Sequence, residues 1–132
     1  MTHGIRYDAD GDTRYSEMPA FGEMLEPAQI DDLTQFVLQI SGQEHDAARA
    51  GAGKEPFAEN CAACHGDAGA GGRDFGAPNL TDGIFLYGGD PASIHASIAT
   101  PHFGIMPAFG GRLRPEDIAK VAVYVHTLGG GE

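Results

Sequence analysis

Several residue types are scarce in this 132-residue chain, and each scarcity excludes a class of protein. Tryptophan is absent and cysteine occurs only twice, so a framework of several disulfides is excluded. Lysine and arginine total 8 against 19 aspartates and glutamates, and the net charge of −11 argues against binding to nucleic-acid phosphates. No apolar run approaches the roughly 20 residues of a membrane-spanning helix. We therefore expect a folded, acidic protein whose charge suits a basic docking partner or simply favours solubility.

Glycine, in contrast, occurs 20 times, which indicates long loops. Apolar residues at helical spacing predict an all-α fold, with helices that begin at Pro27, Pro91 and Pro115, since proline suits the first helical turn. Residues 47–63 are alanine-rich and should also be helical, but the interior Pro56 should break or kink that helix. No alternating run is long enough to predict a β-strand.

An internal repeat links the start of the chain to its end. Residues 18–42 and 106–130 are offset by 88 positions and share ten identical residues among 25 aligned positions. Both copies begin Met-Pro-Ala-Phe-Gly, continue through a Leu-x-Pro step and end in an amphipathic helix. Only the second copy is preceded by a cysteine motif. We therefore expect residues 1–43 to be the remnant of a first domain and residues 44–132 to form a complete second domain.

The motif Cys61-Ala62-Ala63-Cys64-His65 predicts the chemistry of the second domain. Two thiols one helical turn apart can each bond to a vinyl group of one porphyrin, and the adjacent imidazole can then bind the iron. A redox dithiol is an alternative, but it is typical of a βαβ setting that the chain lacks. A zinc site is another, but it usually takes four ligands in two spaced pairs. The motif therefore favours one covalently bound haem c.

The sixth ligand of the iron is expected to be Met106, which Pro107 follows directly. A methionine ligand raises the reduction potential relative to a second histidine. Met106 lies 41 positions after His65, which is far enough for the chain to cross to the other face of the haem. Met18 occupies the equivalent position of the first copy and is expected to be a ligand whose own haem is missing. Met24 is expected to fill space in the core.

Other side chains are assigned lesser roles around the haem. His102 and Arg73 are weaker candidates, the first for a propionate or the iron and the second for a propionate. Leu80, Ile98 and Phe109 are expected to exclude water from the macrocycle. Excluding water disfavours the additional charge of the ferric state and so favours reduction.

The chain resembles a class I cytochrome c domain, and more specifically the dihaem subunit of cbb3-type cytochrome c oxidases. The resemblance covers nearly the whole chain. It rests on the cysteine motif and on Gly76–Asp82, Leu86–Asp90, Gly104–Gly111 and Val123–Glu132. The cysteine motif alone is typical of any c-type cytochrome, whereas the repeat and the flanking segments point to the oxidase subunit.

For the fold, the resemblance implies a class I cytochrome c domain with long Gly-rich loops, preceded by a truncated half-domain. Helices at the two ends of such a domain pack together, which would place Phe57 against Tyr124 and Leu128. The resemblance also implies that the carbonyl of Pro78 accepts a hydrogen bond from the His65 imidazole and orients it.

For the function, the resemblance implies one-electron transfer to an oxidase core by a domain that is not an enzyme by itself. The parent subunit would be anchored in the inner membrane by a segment absent from this chain, with its haem domains in the periplasm. The partners would be oxidase core subunits. A free-standing periplasmic electron carrier and a haem-based ligand sensor are the alternatives.

Overall fold

The computed structural model describes residues 1–129, which form α-helices joined by long loops. The helices are α1 (Pro27–Ile40), α2 (Ala47–Asn60), α3 (Ala62–His65), α4 (Pro91–Ala99) and α5 (Pro115–Thr127). A short 3-10 helix, Phe21–Glu23, precedes α1. The described residues contain isolated β-bridges but no β-strand, so the predicted all-α fold is confirmed. Residues 130–132, which end the second repeat and the segment 123–132, lie outside the described range.

The predicted helix starts are confirmed. Each of α1, α4 and α5 has proline at its first position, where the missing N–H would have no partner inside the helix. The Asp90 carboxylate caps α4 by accepting hydrogen bonds from the backbone N–H groups of Ala92 and Ser93, at 3.1 and 3.0 Å. The Ser93 hydroxyl and these backbone donors lower the pKa of Asp90 below its usual value, because they stabilise the charged form.

Of the predicted break or kink at Pro56, the break is wrong. α2 continues from Ala47 to Asn60 with Pro56 in its interior, and the chain leaves the helix only at Cys61. An interior proline costs one backbone hydrogen bond. Gly53 and Phe57, which lie on either side of Pro56, are both buried in contact with α1. This packing on both sides of the proline compensates for the lost hydrogen bond.

Contacts within the chain divide it into two compact units. Unit 1 comprises Met1–Glu17 and Phe103–Glu132, and unit 2 comprises Met18–His102. The predicted domains, with a boundary at residue 43, follow the repeat rather than these contacts and stay a prediction. The first copy of the repeat belongs to unit 2 together with the cysteine motif, and the second copy belongs to unit 1.

Unit 2 is organised around α1, which packs against α2 and α4. Its buried core consists of Phe21, Ile30, Leu33, Phe36, Val37, Leu38, Phe57, Ile94 and Ile98. The rings of Phe36 and Phe57 lie 4.8 Å apart between centroids and join α1 to the helix that leads into the cysteines. Each large apolar side chain buried in this way contributes about 1.5–3 kcal/mol. The core therefore fixes the direction in which α2 presents Cys61.

α1 and α2 approach most closely at Gly53. A Cβ atom at this position would overlap the carbonyl oxygen of Asp32 and would lie 3.0 Å from the Cβ of Phe36. A Cβ at Gly51, on the same helix, would meet open space. At the edge of the contact, the Arg49 guanidinium pairs with the Asp31 carboxylate at 3.1 Å. Glycine at position 53 is thus required by the distance between the two helices.

Unit 1 joins the first residues of the chain to the segment that begins at Phe103. The backbones of Ile5 and Met106 exchange two hydrogen bonds, at 2.9 and 3.0 Å. α5 belongs to this unit, and none of its residues is buried. Apolar side chains from both segments line a cavity of about 280 Å³; they are Met1, Met106, Phe109, Leu113, Ile118, Val121 and Val125.

Within residues 1–129, no helix combines the length and the apolar character that crossing a lipid bilayer requires.

Candidate functional site

The two cysteines and the histidine come from one turn of helix. Cys61 follows α2, and its backbone carbonyl accepts hydrogen bonds from the N–H groups of Cys64 and His65, at 3.1 and 2.9 Å. Both cysteines have free, half-buried thiols. The local helix therefore holds two thiols and an imidazole together, as attachment of a single macrocycle requires.

The imidazole of His65 is buried, with 8% of the residue exposed. Its Nδ1 lies 3.0 Å from the carbonyl oxygen of Pro78. Since a carbonyl can only accept, Nδ1 must carry the hydrogen and donate it. In the neutral imidazole, Nε2 then has a free lone pair directed away from this bond and is the atom that could bind a metal. The structure thus contains the hydrogen bond that the family resemblance implies.

The loop after α3 folds back to bring Pro78 to His65. The carbonyl of His65 accepts a hydrogen bond from the N–H of Gly71 at 2.8 Å, and Gly72 and Ala77 exchange two backbone hydrogen bonds of 3.1 Å. Gly71 has a φ of +83°, which side-chain-bearing residues rarely adopt. A Cβ there would also lie 2.8 Å from the Ala77 carbonyl oxygen. The glycines of this loop therefore position the carbonyl that orients the imidazole.

The surroundings of Cys61 keep its thiol protonated. Burial, and to a smaller extent repulsion from Cys64, raises the pKa of the Cys61 thiol from 9.0 to about 11. Thiolates are the reactive form of cysteine. Before any attachment, Cys61 should therefore be a weak nucleophile toward solvent reagents.

Alkylation of the haem-free protein should reveal this elevated pKa. At pH 8, iodoacetamide should modify Cys61 roughly a hundredfold more slowly in the folded chain than in the chain unfolded by guanidinium, because two pKa units lower the thiolate fraction about a hundredfold. The folded state binds this proton more tightly than the unfolded state, so the free energy of unfolding should fall as pH rises from about 9 to about 11. Mass spectrometry of quenched samples measures the rates, and equal rates in the two states would contradict the prediction.

The structure brings most of the predicted site residues into unit 2. Leu80 is half-buried against the core, and Ile98 is part of the core. Cys61 and Cys64 belong to the same unit, as do His65 and Pro78. Met106 and Phe109 belong to unit 1. The role of Met106 as an iron ligand therefore stays a prediction.

Phe57 packs its ring against Phe36 of α1, within unit 2. Its expected partners, Tyr124 and Leu128, belong to unit 1, so that contact stays a prediction. Phe36 is the residue that the 88-residue offset aligns with Tyr124, and Ile40 aligns with Leu128. The first copy of the repeat thus supplies a contact of the kind that the resemblance implies for the second copy. The offset itself was the signal that could have identified Phe36.

The expectation for Met24 is wrong. Met24 directly follows the 3-10 helix and is largely exposed, whereas the next residue, Leu25, packs against the core. His102 stacks on the ring of Tyr87, with centroids 3.7 Å apart. This contact gives His102 a structural partner within unit 2, and its role beside a haem stays a prediction.

Comparison with known proteins identifies the family. Residues 48–125 match the family described as cytochrome c oxidase, cbb3-type, subunit III. Over its whole length the chain is 56% identical to the cbb3-type cytochrome c oxidase subunit CcoP of Cereibacter sphaeroides and 51% identical to that of Rhodobacter capsulatus. It is 44% identical to the FixP subunit of Sinorhizobium medicae. It covers 46%, 48% and 46% of these three proteins, so it spans about half the length of the curated relatives it matches. The chain belongs to the family of subunit III of cbb3-type cytochrome c oxidases.

Proposed function

We propose that this chain binds one haem c covalently through Cys61 and Cys64, that His65 is a ligand of its iron, and that the chain transfers single electrons. The observation that carries the proposal is the buried imidazole, oriented by Pro78 at 3.0 Å, beside two free thiols of the same helical turn. Nε2 is then the nitrogen available to iron. Membership of a cytochrome c oxidase subunit family supports the same assignment.

The set of nearby donors fits haem better than zinc. A zinc site built on these cysteines would need further cysteine, histidine or carboxylate ligands close to them. In residues 1–129, one group of histidine, cysteine and carboxylate side chains is close enough to share a metal ion. It consists of His3, Asp10 and Asp12 and contains neither cysteine. Attachment of a haem through two thioether bonds and one imidazole does not need additional cysteine, histidine or carboxylate ligands.

The loop that leaves the motif has the surface that an apolar macrocycle would cover. Phe75, Ile84, Leu86 and Tyr87 lie between His65 and α4, and each exposes more than half of its side chain. Several large apolar side chains exposed along one loop are typical of a binding surface. These residues belong to unit 2 with the cysteines and are suited to contact a porphyrin.

A haem bound here would supply reversible one-electron chemistry at its iron. The residues of the chain would have three tasks. Cys61 and Cys64 would hold the group, His65 would bind the iron through Nε2 with its ring oriented by Pro78, and Leu80 and Ile98 would keep water away. Met106 was predicted for the remaining face, and Met18 occupies the equivalent position of the repeat.

The relatives suggest the compartment in which this electron transfer occurs, and the net charge suggests the kind of partner. The relatives are subunits of cbb3-type oxidases, so we place this chain in the periplasm, where it would deliver electrons to an oxidase core. Covalent haem attachment is chemistry of that compartment. The net charge of −11 favours association with a basic redox partner and makes the association rate sensitive to salt.

Production with a haem-attachment system tests the proposal. The purified protein should be red, should have the mass of the polypeptide plus one haem under denaturing conditions, and should give the pyridine haemochrome spectrum of a haem with both vinyl groups saturated. The Cys61→Ser/Cys64→Ser variant should have the bare polypeptide mass. Ala63→Ser is the matched control, because it changes an exposed position of the same motif and keeps both thiols. Colourless wild-type protein of bare mass would refute the proposal.

A further inference from the structure

The negative charge of the chain is concentrated in unit 2. Residues 18–102 contain 12 of the 19 acidic residues but 3 of the 8 basic ones. Part of this charge is balanced inside the unit, because the Asp31 and Asp32 carboxylates pair with the Arg49 guanidinium at 3.1 and 3.8 Å. Another carboxylate, that of Asp90, caps α4. The acidic side chains that have neither role are the ones available to a partner.

Two acidic side chains of this kind lie on the outer face of α2. Glu55 and Glu59 are each two residues from the buried Phe57, which corresponds to about 200° around the helix axis. Both are therefore exposed on the side opposite α1, and they lie one helical turn apart. Within residues 1–129, no ion pair involves either of them. The outer face of α2 thus carries two negative charges that the unit does not balance.

The position of these two glutamates does not favour the stability of α2. Like charges one turn apart repel, and a carboxylate near the last turn interacts unfavourably with the negative end of the helix dipole. Glu59 is next to the last residue of α2, and the last turn of this helix contains no basic residue. Departures from the locally favourable pattern are typical of functional positions. We therefore looked for a role of this charge outside the helix.

The same charge continues on both sides of the cysteine motif. Glu59 lies two residues before the motif, and the exposed Asp67 lies two residues after it. The exposed Asp82 reaches the same region because the N–H of Leu80 donates a hydrogen bond to the carbonyl of Gly69 at 2.8 Å. In the described part of the chain, neither aspartate forms an ion pair. We refer to Glu55, Glu59, Asp67 and Asp82 as the acidic surface.

We propose that the acidic surface is the docking site of a soluble electron-donor protein whose own surface is basic. This inference rests on the proposed function, because it names the partner of the haem held by Cys61 and Cys64. Attraction between charged patches steers such a partner into contact and orients it. A surface of exposed carboxylates has little apolar area, so it suits a short-lived complex better than a permanent subunit interface, which is more apolar. An electron carrier must leave after each transfer and is therefore the partner that this surface fits.

Two double variants of the haem-bearing protein with the same change in net charge test this assignment. Glu55→Gln/Glu59→Gln removes two charges from the acidic surface, and Glu23→Gln/Glu44→Gln removes two exposed charges elsewhere in unit 2. Glu44 precedes the opposite end of α2, roughly 20 Å from the motif. Stopped-flow spectroscopy with a lysine-rich mitochondrial cytochrome c measures the second-order rate constant of electron exchange. At about 10 mM ionic strength, it should fall about tenfold in the first variant and less than about twofold in the second.

Binding to the acidic surface is measured separately from electron transfer. In ¹⁵N-labelled haem-bearing protein titrated with the same cytochrome, both kept reduced, the amide shifts of Glu55, Glu59 and Asp67 should change. These changes should disappear at about 0.5 M salt, because salt screens exposed charges. An equal loss of rate in the two double variants, or shift changes confined to other parts of the chain, would overturn the assignment. The proposed function fails separately, through a wild-type protein without covalent haem.

Discussion

Replacing Gly53 by alanine should lower the free energy of unfolding of the haem-bearing protein by about 3 kcal/mol, because the crossing of α1 and α2 has no room for a Cβ atom. The added carbon would overlap the backbone carbonyl of Asp32 and would lie 3.0 Å from the Cβ of Phe36. A backbone atom cannot move aside as the end of a long side chain can, so the helices must separate. Urea unfolding followed by circular dichroism measures the change.

Gly51→Ala is the matched control for this substitution. The same change is made two residues earlier on the same helix, where a Cβ would meet open space. Alanine has the higher helix propensity, so this variant should be more stable than the wild type by about 0.5–1 kcal/mol. Destabilisation of similar size in both variants would mean that helix crowding at Gly53 is not the cause.

Phe36→Ala and Tyr124→Ala should have very different effects although the two residues are equivalent in the repeat. Phe36 is buried in contact with Phe57, and truncating a buried phenylalanine costs about 3–5 kcal/mol through lost burial and a residual cavity. Tyr124 is exposed, and its replacement should change the free energy of unfolding by less than about 0.5 kcal/mol. Denaturant titration of both variants with bound haem makes the comparison.

This pair of variants distinguishes the two ways in which the repeat could be used. If α5 were the helix that packs against α2 in solution, the order would be reversed, with Tyr124→Ala the more damaging change. Phe57→Ala should destabilise the protein in either case, since Phe57 is 2% exposed and central to the packing of α2. It therefore serves as a reference for the size of a core deletion.

The sequence was sufficient to predict local structure and chemistry. Proline at a first turn, with an aspartate cap before α4, predicted the helix starts, because these positions depend on backbone groups of neighbouring residues. The cysteine motif predicted a turn of helix that ends in a histidine, and the structure has that turn. The sequence predicted a break at Pro56 because proline removes one backbone hydrogen bond from the helix. That loss is outweighed by contacts of Gly53 and Phe57 with α1, which only the folded chain reveals.

The sequence did not predict which helix packs against α2. α1 and α5 have similar apolar stripes, so the sequence pattern of either helix is compatible with packing against α2. Family resemblance favoured the copy downstream of the motif and therefore Tyr124. The decision depends on side chains that differ between the copies, such as Phe36 against Tyr124, and on tertiary contacts at Gly53. Local patterns do not contain that information.

The short connection between α1 and α2 has a consequence for how the chain reaches its native state. Six residues join these two helices, whereas 54 residues separate α2 from α5. Closing the longer loop costs about 2 kcal/mol more in chain entropy. The antiparallel hairpin of neighbouring helices should therefore form first, and the haem-attachment enzymes would meet a polypeptide in which the segment before the cysteines is already ordered.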